Sequence, residues 1–196
     1  MKNFVYLASQ SPRRRQLLEQ IGVDYELLLA TPEEDAESLE TIRPGELPMT
    51  YVKRVTQLKL EAAVRRMKVR NLVAAPVLCA DTTVALGREI LGKPEDAKDA
   101  LRILKALSGK THRVLTAVAI ADGRKRRMSV SVSHVTFKTL KTSDIKRYIE
   151  SGEPVGKAGA YGIQGLAASY ISEIRGSYTG IMGLPLFETS EILKSI

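Results

Sequence analysis

The sequence predicts an α/β protein with a mixed β-sheet. Strand and helix patterns are interspersed along all 196 residues, and tight turns at Gly87-Arg88 and at Asp122-Gly123 indicate two hairpins. Such turns join antiparallel strands. Hydrophobic residues make up 44% of the chain and charged residues 27%, which is typical of a globular domain. No linker, repeat or low-complexity tract divides the chain, so we expect a single domain over residues 1–196.

The first half of the chain predicts alternating strands and helices. A strand over residues 4–8 precedes a helix that begins at Pro12, with Ser11 as its N-cap, and ends at Gly22. A second strand covers 23–29, a long helix 49–70 and a third strand 76–86, with a short hairpin partner ending at residue 91. Residues 30–48 are polar and predict a long loop, and such loops are usually functional or mobile.

The second half continues with a helix that starts at Pro94 and has Gly109 just after its end. Long strands over 111–121 and 128–140 form the second hairpin, and a slip in their alternation at His134 and Val135 predicts a bulge. The remaining elements are a helix over 142–151 capped by Thr142 or Ser143, a glycine-rich segment 152–166, a strand 167–174 and a closing helix 186–193.

Composition narrows the function classes. The chain carries 30 basic and 22 acidic residues, and its net charge of +8 favours an anionic ligand or partner. Aromatic residues are only 5%, which argues against stacking of single-stranded bases, and we interpret the basic clusters 65–70 and 124–127 as solvated faces. The sequence shows no apolar run of about 20 residues and no signal peptide, and its single cysteine, Cys79, excludes an internal disulfide. We therefore expect a cytoplasmic protein that binds neither membrane nor nucleic acid.

The first candidate site is the start of the first predicted helix. Ser9 and Ser11 place hydroxyl groups beside the helix N-terminus, whose free amides favour anions, and Arg13 and Arg14 add guanidinium groups suited to phosphate oxygens. A capped helix with solvated arginines explains the same residues, so both interpretations stay open.

The second candidate is Asp81, followed by Thr82, in a strand that reads as buried. A buried carboxylate is costly unless it is paired or binds a metal ion. With Glu33, Glu34 or Asp35 from the long loop it could hold a hard divalent cation. Pairing of Asp81 with an arginine is the alternative.

The segment from Gly87 to Pro94 almost matches the phosphate-binding loop of nucleotide-binding proteins. That motif requires Ser or Thr after the lysine, whereas Pro94 follows Lys93 here and has neither hydroxyl nor amide donor. We reject the motif, although Lys93 can still direct an ammonium group at a phosphate.

The glycine-rich segment contains Gln164, whose amide can donate to and accept from the edge of a base. Nucleophilic catalysis fits poorly, since His112 and His134 lie in apparent strands and Cys79 reads as a buried small hydrophobe. The residues therefore favour metal-assisted attack by water over a covalent intermediate.

Taken in order, the stretches LASQSPRRRQLLEQIG, CADTTVALGREILGKP, LSGKTHRVLTAVAI, GEPVGKAGAYGIQGL and GSYTGIMGLPLFET resemble the Maf family of nucleoside triphosphate pyrophosphatases. The resemblance implies hydrolysis between the α and β phosphates with Mg²⁺ or Mn²⁺. It also implies a two-lobed fold similar to the inosine triphosphate pyrophosphatases, with a long bent mixed sheet and the active site in the central cleft. Members are commonly homodimers.

The resemblance also implies roles for individual residues. The catalytic aspartate maps onto Asp81 and the active-site glutamate onto Glu34, with Glu33 not excluded, so Asp81 and Glu34 are the expected metal ligands. Two lysines of the family map onto Lys59 and Lys93.

Three positions indicate the substrate, because the subgroup that acts on dTTP and UTP carries Arg13, Thr82 and Gln164 at the matching places. The subgroup that prefers 7-methyl-GTP differs at all three. With Ser9, Ser11, Arg14 and Lys59, these residues complete the expected substrate site. A role in removing modified nucleotides and in cell-division arrest is also implied.

This chain departs from the family pattern at two places. Gly156 stands where an acid is usual, and Ala167 and Ala168 stand where glycine is common. The missing acid puts metal affinity or the order of the loop in question. A regulatory protein of septum formation that binds nucleic acid or a partner, without catalysis, is the alternative function, although a passive binder has little use for Asp81.

Overall fold

The computed structural model describes residues 4–32, 34 and 38–196. In this part of the chain seven strands form one mixed sheet, as expected, in the order β2-β1-β3-β5-β6-β7 with β4 paired to β3. β1 runs parallel to β2 and β3, and the other pairs are antiparallel. The strands are β1 Val5–Leu7, β2 Tyr25–Leu27, β3 Val77–Leu86, β4 Glu89–Leu91, β5 Thr111–Asp122, β6 Lys125–Phe137 and β7 Ile171–Arg175.

Six α-helices flank this sheet in the described part of the chain. They are α1 Pro12–Gln20, α2 Pro48–Val69, α3 Ala97–Leu107, α4 Thr142–Glu150, α5 Tyr178–Met182 and α6 Leu186–Lys194. None of the described helices is long and apolar enough to cross a membrane.

The apolar core is divided around β3. Leu78 and Ala80 pack with buried residues of α1 and α6, whereas Val77 and Cys79 pack with buried residues of α2. Farther along the strand, Val84 belongs to a third cluster with α3 and α4. The polar residues Asp81 to Thr83 lie between these apolar stretches, so the polar side chains of β3 lie at the gap between the apolar clusters.

Several boundaries differ from the sequence predictions. The helix expected from Pro94 begins at Ala97, because Asp96 caps it by accepting a hydrogen bond from the Asp99 amide. Thr142 and Ser143 do not cap α4, since Lys141 occupies that position without a side-chain cap.

Two β predictions also need correction. The register shift lies at Thr136 and Phe137, where β6 pairs with β7, and not at His134 and Val135. The last strand starts at Ile171, because residues Leu166–Tyr170 form a 3₁₀ helix. Part of the predicted loop is also ordered as a 3₁₀ turn, Ser38–Glu40, and the short helix α5 was not anticipated.

Candidate active site

A cleft of about 520 Å³ lies beside the middle of β3. This volume suits a small organic ligand. Its lining brings together nine residues that the sequence analysis singled out, from segments far apart in the chain: Ser9, Ser11, Arg13, Arg14, Lys59, Asp81, Thr82, Lys93 and Gln164.

The charged centre of the cleft is a chain of alternating acids and bases. Lys59 on α2 donates to Asp81 Oδ1 at 2.5 Å and to Glu40 Oε1 at 2.7 Å. The second oxygen of Glu40 accepts from Lys93, also at 2.7 Å. Two carboxylates therefore converge on one ammonium group, and the alternative pairing of Asp81 with an arginine is replaced by a pairing with lysine.

Burial and pairing oppose each other in this cluster. Burial by itself would lower the pKa of Lys59, but the attraction of Asp81 and Glu40 outweighs it and raises that pKa. For Glu40, burial alone would raise the pKa, and the two lysines nevertheless hold it below its ordinary value. Lys59 and Glu40 are consequently charged near neutral pH.

Glu34 is paired with two arginines and does not join this cluster, and its role as a metal ligand stays a prediction. Its carboxylate accepts three hydrogen bonds of 2.7–2.9 Å from Arg66 and lies 3.6 Å from Arg70. Arg66 also donates to the Leu28 carbonyl at 2.9 Å, which fixes its position. The hydrogen bonds from Arg66 lower the pKa of Glu34. Among the described residues, Glu40 occupies the place expected for Glu34, while Glu33 and Asp35 lie outside the described part of the chain.

The N-terminus of α1 forms one wall of the cleft. Ser11 is the N-cap residue but makes no side-chain cap, and Ser9 Oγ instead accepts from the Ser11 amide at 3.2 Å. Ser9 also accepts from Arg14 at 3.1 Å, and Arg14 donates to the Gly183 carbonyl at 2.8 Å. Burial lowers the pKa of Arg14. These contacts hold a cationic group beside the free amides of a helix start.

Arg13 contacts the backbone of residues 180–183 directly, and Thr82 reaches it through Thr116. Arg13 donates to the Met182 carbonyl at 3.4 Å. Thr116 donates its hydroxyl proton to the Gly180 carbonyl at 2.7 Å, so Thr82 must be the donor in its 2.9 Å bond to Thr116. Both residues thereby fix the course of residues 180–183, of which three line the cleft.

Gln164 lines the same cleft and lies in a tight turn. The turn is closed by a 3.1 Å hydrogen bond from the Gly165 amide to the Gly162 carbonyl, and Gln164 itself is exposed. Nearby, Gly156 has a φ of 69°, which glycine adopts without strain, so it suits its place in the loop. Ala167 is fully buried and Ala168 exposed.

The histidines and the cysteine have structural surroundings. His112 is 1% exposed and shares a 2.8 Å hydrogen bond with the Tyr161 hydroxyl, and burial lowers its pKa to about 4. Burial raises the pKa of Cys79 to about 12. Neither group lines the cleft, and His134 is an exposed residue of β6.

Sequence comparison identifies the family of this chain. The family model described as Maf-like protein matches residues 4–196. The chain belongs to the Maf family. Its relatives include proteins named dTTP/UTP pyrophosphatase from three organisms. The Albidiferax ferrireducens protein is 62% identical over 195 residues, covering 100% of this chain and 98% of the relative.

Two further Maf relatives carry the same name. The Cupriavidus pinatubonensis protein is 60% identical over 194 residues, covering 99% of this chain and 97% of its own. The Burkholderia pseudomallei protein is 56% identical, covering 98% of this chain and 93% of its own.

Sequence reasoning missed two cleft residues. Glu40 is one of several acids between positions 33 and 40, and nothing local distinguishes it from its neighbours. Lys157 lines the cleft near Arg13, where burial and the charge of Arg13 lower its pKa. Its place in the glycine-rich segment was the only signal for it.

Proposed function

We propose that this chain hydrolyses dTTP and UTP to the monophosphate and pyrophosphate. The observation that carries the proposal is the Asp81–Lys59–Glu40–Lys93 cluster at the centre of a cleft that also contains Arg13, Thr82 and Gln164. The names of the relatives supply independent support for the same activity.

The triphosphate lies at the charged end of the cleft in this proposal. The amides at the start of α1 and the hydroxyl groups of Ser9 and Ser11 bind phosphate oxygens. Arg14 adds positive charge beside these groups, and its hydrogen bonds to Ser9 and to the Gly183 carbonyl hold it in place. Lys59 and Lys93 add two ammonium groups, and phosphate oxygens replace part of their present pairing with Glu40.

Asp81 accepts the proton of the water that attacks the α-phosphorus. The bond from that phosphorus to the bridging oxygen then breaks, and pyrophosphate leaves. Lys59 orients the Asp81 carboxylate through their 2.5 Å contact. In this proposal Asp81 is the general base.

The donor set at this place fits a divalent cation such as Mg²⁺ or Mn²⁺. Asp81 and Glu40 both accept from the Lys59 ammonium group and therefore lie close together, and Mg²⁺ is commonly held by one or two carboxylates together with substrate phosphates. No group of three or more Asp, Glu, His or Cys suited to a metal occurs in the described ranges, so substrate oxygens complete the coordination. The cation, when bound, neutralises charge that develops on the phosphates. Glu40 therefore takes the metal-ligand role that was expected of Glu34.

The base lies at the Gln164 turn in this proposal, and we call this part the base end of the cleft. A thymine or uracil edge offers carbonyl acceptors and one N–H donor, and the Gln164 amide matches one of each. Arg13 and Thr82 act through residues 180–183, because Arg13 binds the Met182 carbonyl and Thr82 supports Thr116, which binds the Gly180 carbonyl.

The direct test is pyrophosphate release from a panel of dTTP, UTP, CTP, GTP, ATP, 7-methyl-GTP and 5-methyl-UTP, each with Mg²⁺, with Mn²⁺ and with chelator. We expect release that depends on the metal and is greatest for dTTP and UTP. Preference for 7-methyl-GTP would retain the reaction and overturn the assigned specificity. No release from any nucleotide would favour the regulatory alternative.

We also propose that the enzyme is a cytoplasmic homodimer that removes modified pyrimidine nucleotides. Exposed apolar side chains such as Phe187 and Val155, which are 77% and 75% exposed, are consistent with a further surface being covered in a dimer. Analytical ultracentrifugation should give twice the mass of the chain, and a monomer at micromolar concentration would contradict the dimer.

A further inference from the structure

The turn that carries Gln164 is held at both ends by side chains that lie outside the reaction assigned above. The amide of Gly162 donates to the Tyr148 hydroxyl at 3.3 Å, and the amide of Leu166 donates to Glu153 Oε2 at 2.8 Å. Gln164 lies between these two anchors. Their own positions therefore decide where the Gln164 amide can point.

The two anchors are joined to each other. The Tyr148 hydroxyl donates to Glu153 Oε1 at 2.8 Å, so its one proton and one of its lone pairs are both used. Tyr148 is only 1% exposed and packs in the apolar cluster of α3 and α4, so its hydroxyl cannot move without disturbing the core. Burial raises the pKa of Tyr148, and its hydrogen bond to Glu153 raises that pKa further. The turn is thus fastened to a buried side chain of the core.

Close contact between the turn and Glu153 adds to these hydrogen bonds. A Cβ atom at Gly165 would overlap the Glu153 carboxylate, so the backbone of the turn lies directly on that group. On the other side, Lys157 donates to the Glu153 carbonyl, and a Cβ at Gly162 would lie 3.2 Å from Lys157 Cε. Glycine at both ends of the turn is what permits this approach.

We propose that Glu153 and Tyr148 are positioning residues for nucleobase recognition, which act by holding the Gln164 turn at the base end of the cleft. The inference rests on the proposed function, because it assigns Gln164 the pyrimidine edge. Neither residue contacts the substrate. A pre-ordered turn lowers the entropy that is lost when the base binds, so the benefit falls on substrate binding and not on the chemical step.

The test is a double-mutant cycle on dTTP hydrolysis. Glu153→Gln leaves one acceptor where two donors now bind, and Tyr148→Phe removes the hydroxyl alone. We expect each to raise the KM for dTTP about five- to tenfold, with kcat within about twofold of wild type. In a Gln164→Ala background, either substitution should change KM by less than about twofold, because the group that they position is gone.

Matched controls separate positioning from general damage. Glu150→Gln is the same change at an exposed residue of α4, and Tyr178→Phe removes an exposed hydroxyl; both should leave KM and kcat unchanged. If one of the two test variants fails to fold, as judged by its Tm, the other still completes a cycle.

Two results would overturn the inference. Equal loss of kcat/KM with and without Gln164 would show that Glu153 and Tyr148 act independently of the turn, and a loss confined to kcat would place them in the chemical step. Wild-type inactivity towards dTTP would instead overturn the proposed function together with this inference, so the two failures are distinguishable.

Discussion

The two ends of the cleft are built from different interactions. At the phosphate end, Asp81, Lys59, Glu40 and Lys93 hold one another by ion pairs of 2.5–2.7 Å between side chains. At the base end, the turn around Gln164 is held by hydrogen bonds from its backbone amides to the side chains of Glu153 and Tyr148. Gln164 itself is exposed and lines the cleft.

This difference separates chemistry from recognition. Charged groups that pair with one another can exchange partners when a triphosphate and a cation arrive, so the phosphate end can be reorganised by its substrate. Hydrogen bonds from backbone amides to Tyr148 and Glu153 keep the base end in one shape before the substrate binds. Substitutions at the first end should therefore act on kcat, and those at the second on KM.

Replacement of Asp81 by Asn should have the largest effect. The change keeps the size of the side chain but removes its charge and its ability to accept a proton, so kcat for dTTP should fall on the order of 100-fold or more. Steady-state kinetics with Asp24→Asn, an exposed aspartate, gives the matched control. A variant with full rate and unchanged metal dependence would remove the assigned general base.

Replacement of Gln164 by Ala should have an intermediate effect and should fall on KM. Loss of the amide leaves the base edge without its partner, so the KM for dTTP should rise about tenfold while kcat changes by less than about threefold. Gln20→Ala, an exposed change at the end of α1, should alter neither constant. A fall in kcat with KM unchanged would contradict the assignment of base recognition to Gln164.

Replacement of His112 by Asn should have the smallest effect on activity and should act on stability. Burial lowers the pKa of His112 from 6.5 to about 4, so between these pH values the unfolded chain binds a proton that the folded chain does not. Stability from the neutral imidazole is complete above pH 6.5 and is lost as the pH falls.

Urea unfolding at pH 7 and pH 5 measures this effect. From pH 7 to pH 5 the wild type should lose about 2 kcal/mol more than the variant. An equal loss in both proteins would show that His112 titrates normally in the folded state.

Much of the fold could be predicted from the sequence because its signals are local. The proline at the start of α1, the glycine after α3 and the turn after Asp122 are decided by neighbouring residues, and these elements lie where expected. The misplaced register shift depends on how β6 pairs with β7, which no local pattern specifies.

The site residues likewise comprise some that local sequence predicts and some that depend on distant partners. The motif residues of α1 and β3 reach the cleft because the parallel pairing of β1 with β3 brings their ends together. The glutamate could not be chosen among the acids of residues 33–40, because that choice depends on distant partners. Arg66 binds Glu34, whereas Lys59 and Lys93 bind Glu40.

The most direct test of the account is a comparison of Glu40→Gln with Glu34→Gln at saturating dTTP over a range of Mg²⁺ concentrations. The two variants make the same change in one segment. Glu40→Gln should lower kcat at least tenfold and raise the Mg²⁺ concentration that gives half-maximal rate, because it removes a carboxylate from the Asp81 cluster. Glu34→Gln should leave both quantities within about twofold of wild type. The reverse result, with loss in Glu34→Gln and little change in Glu40→Gln, would contradict the assignment of Glu40 to the phosphate end of the cleft.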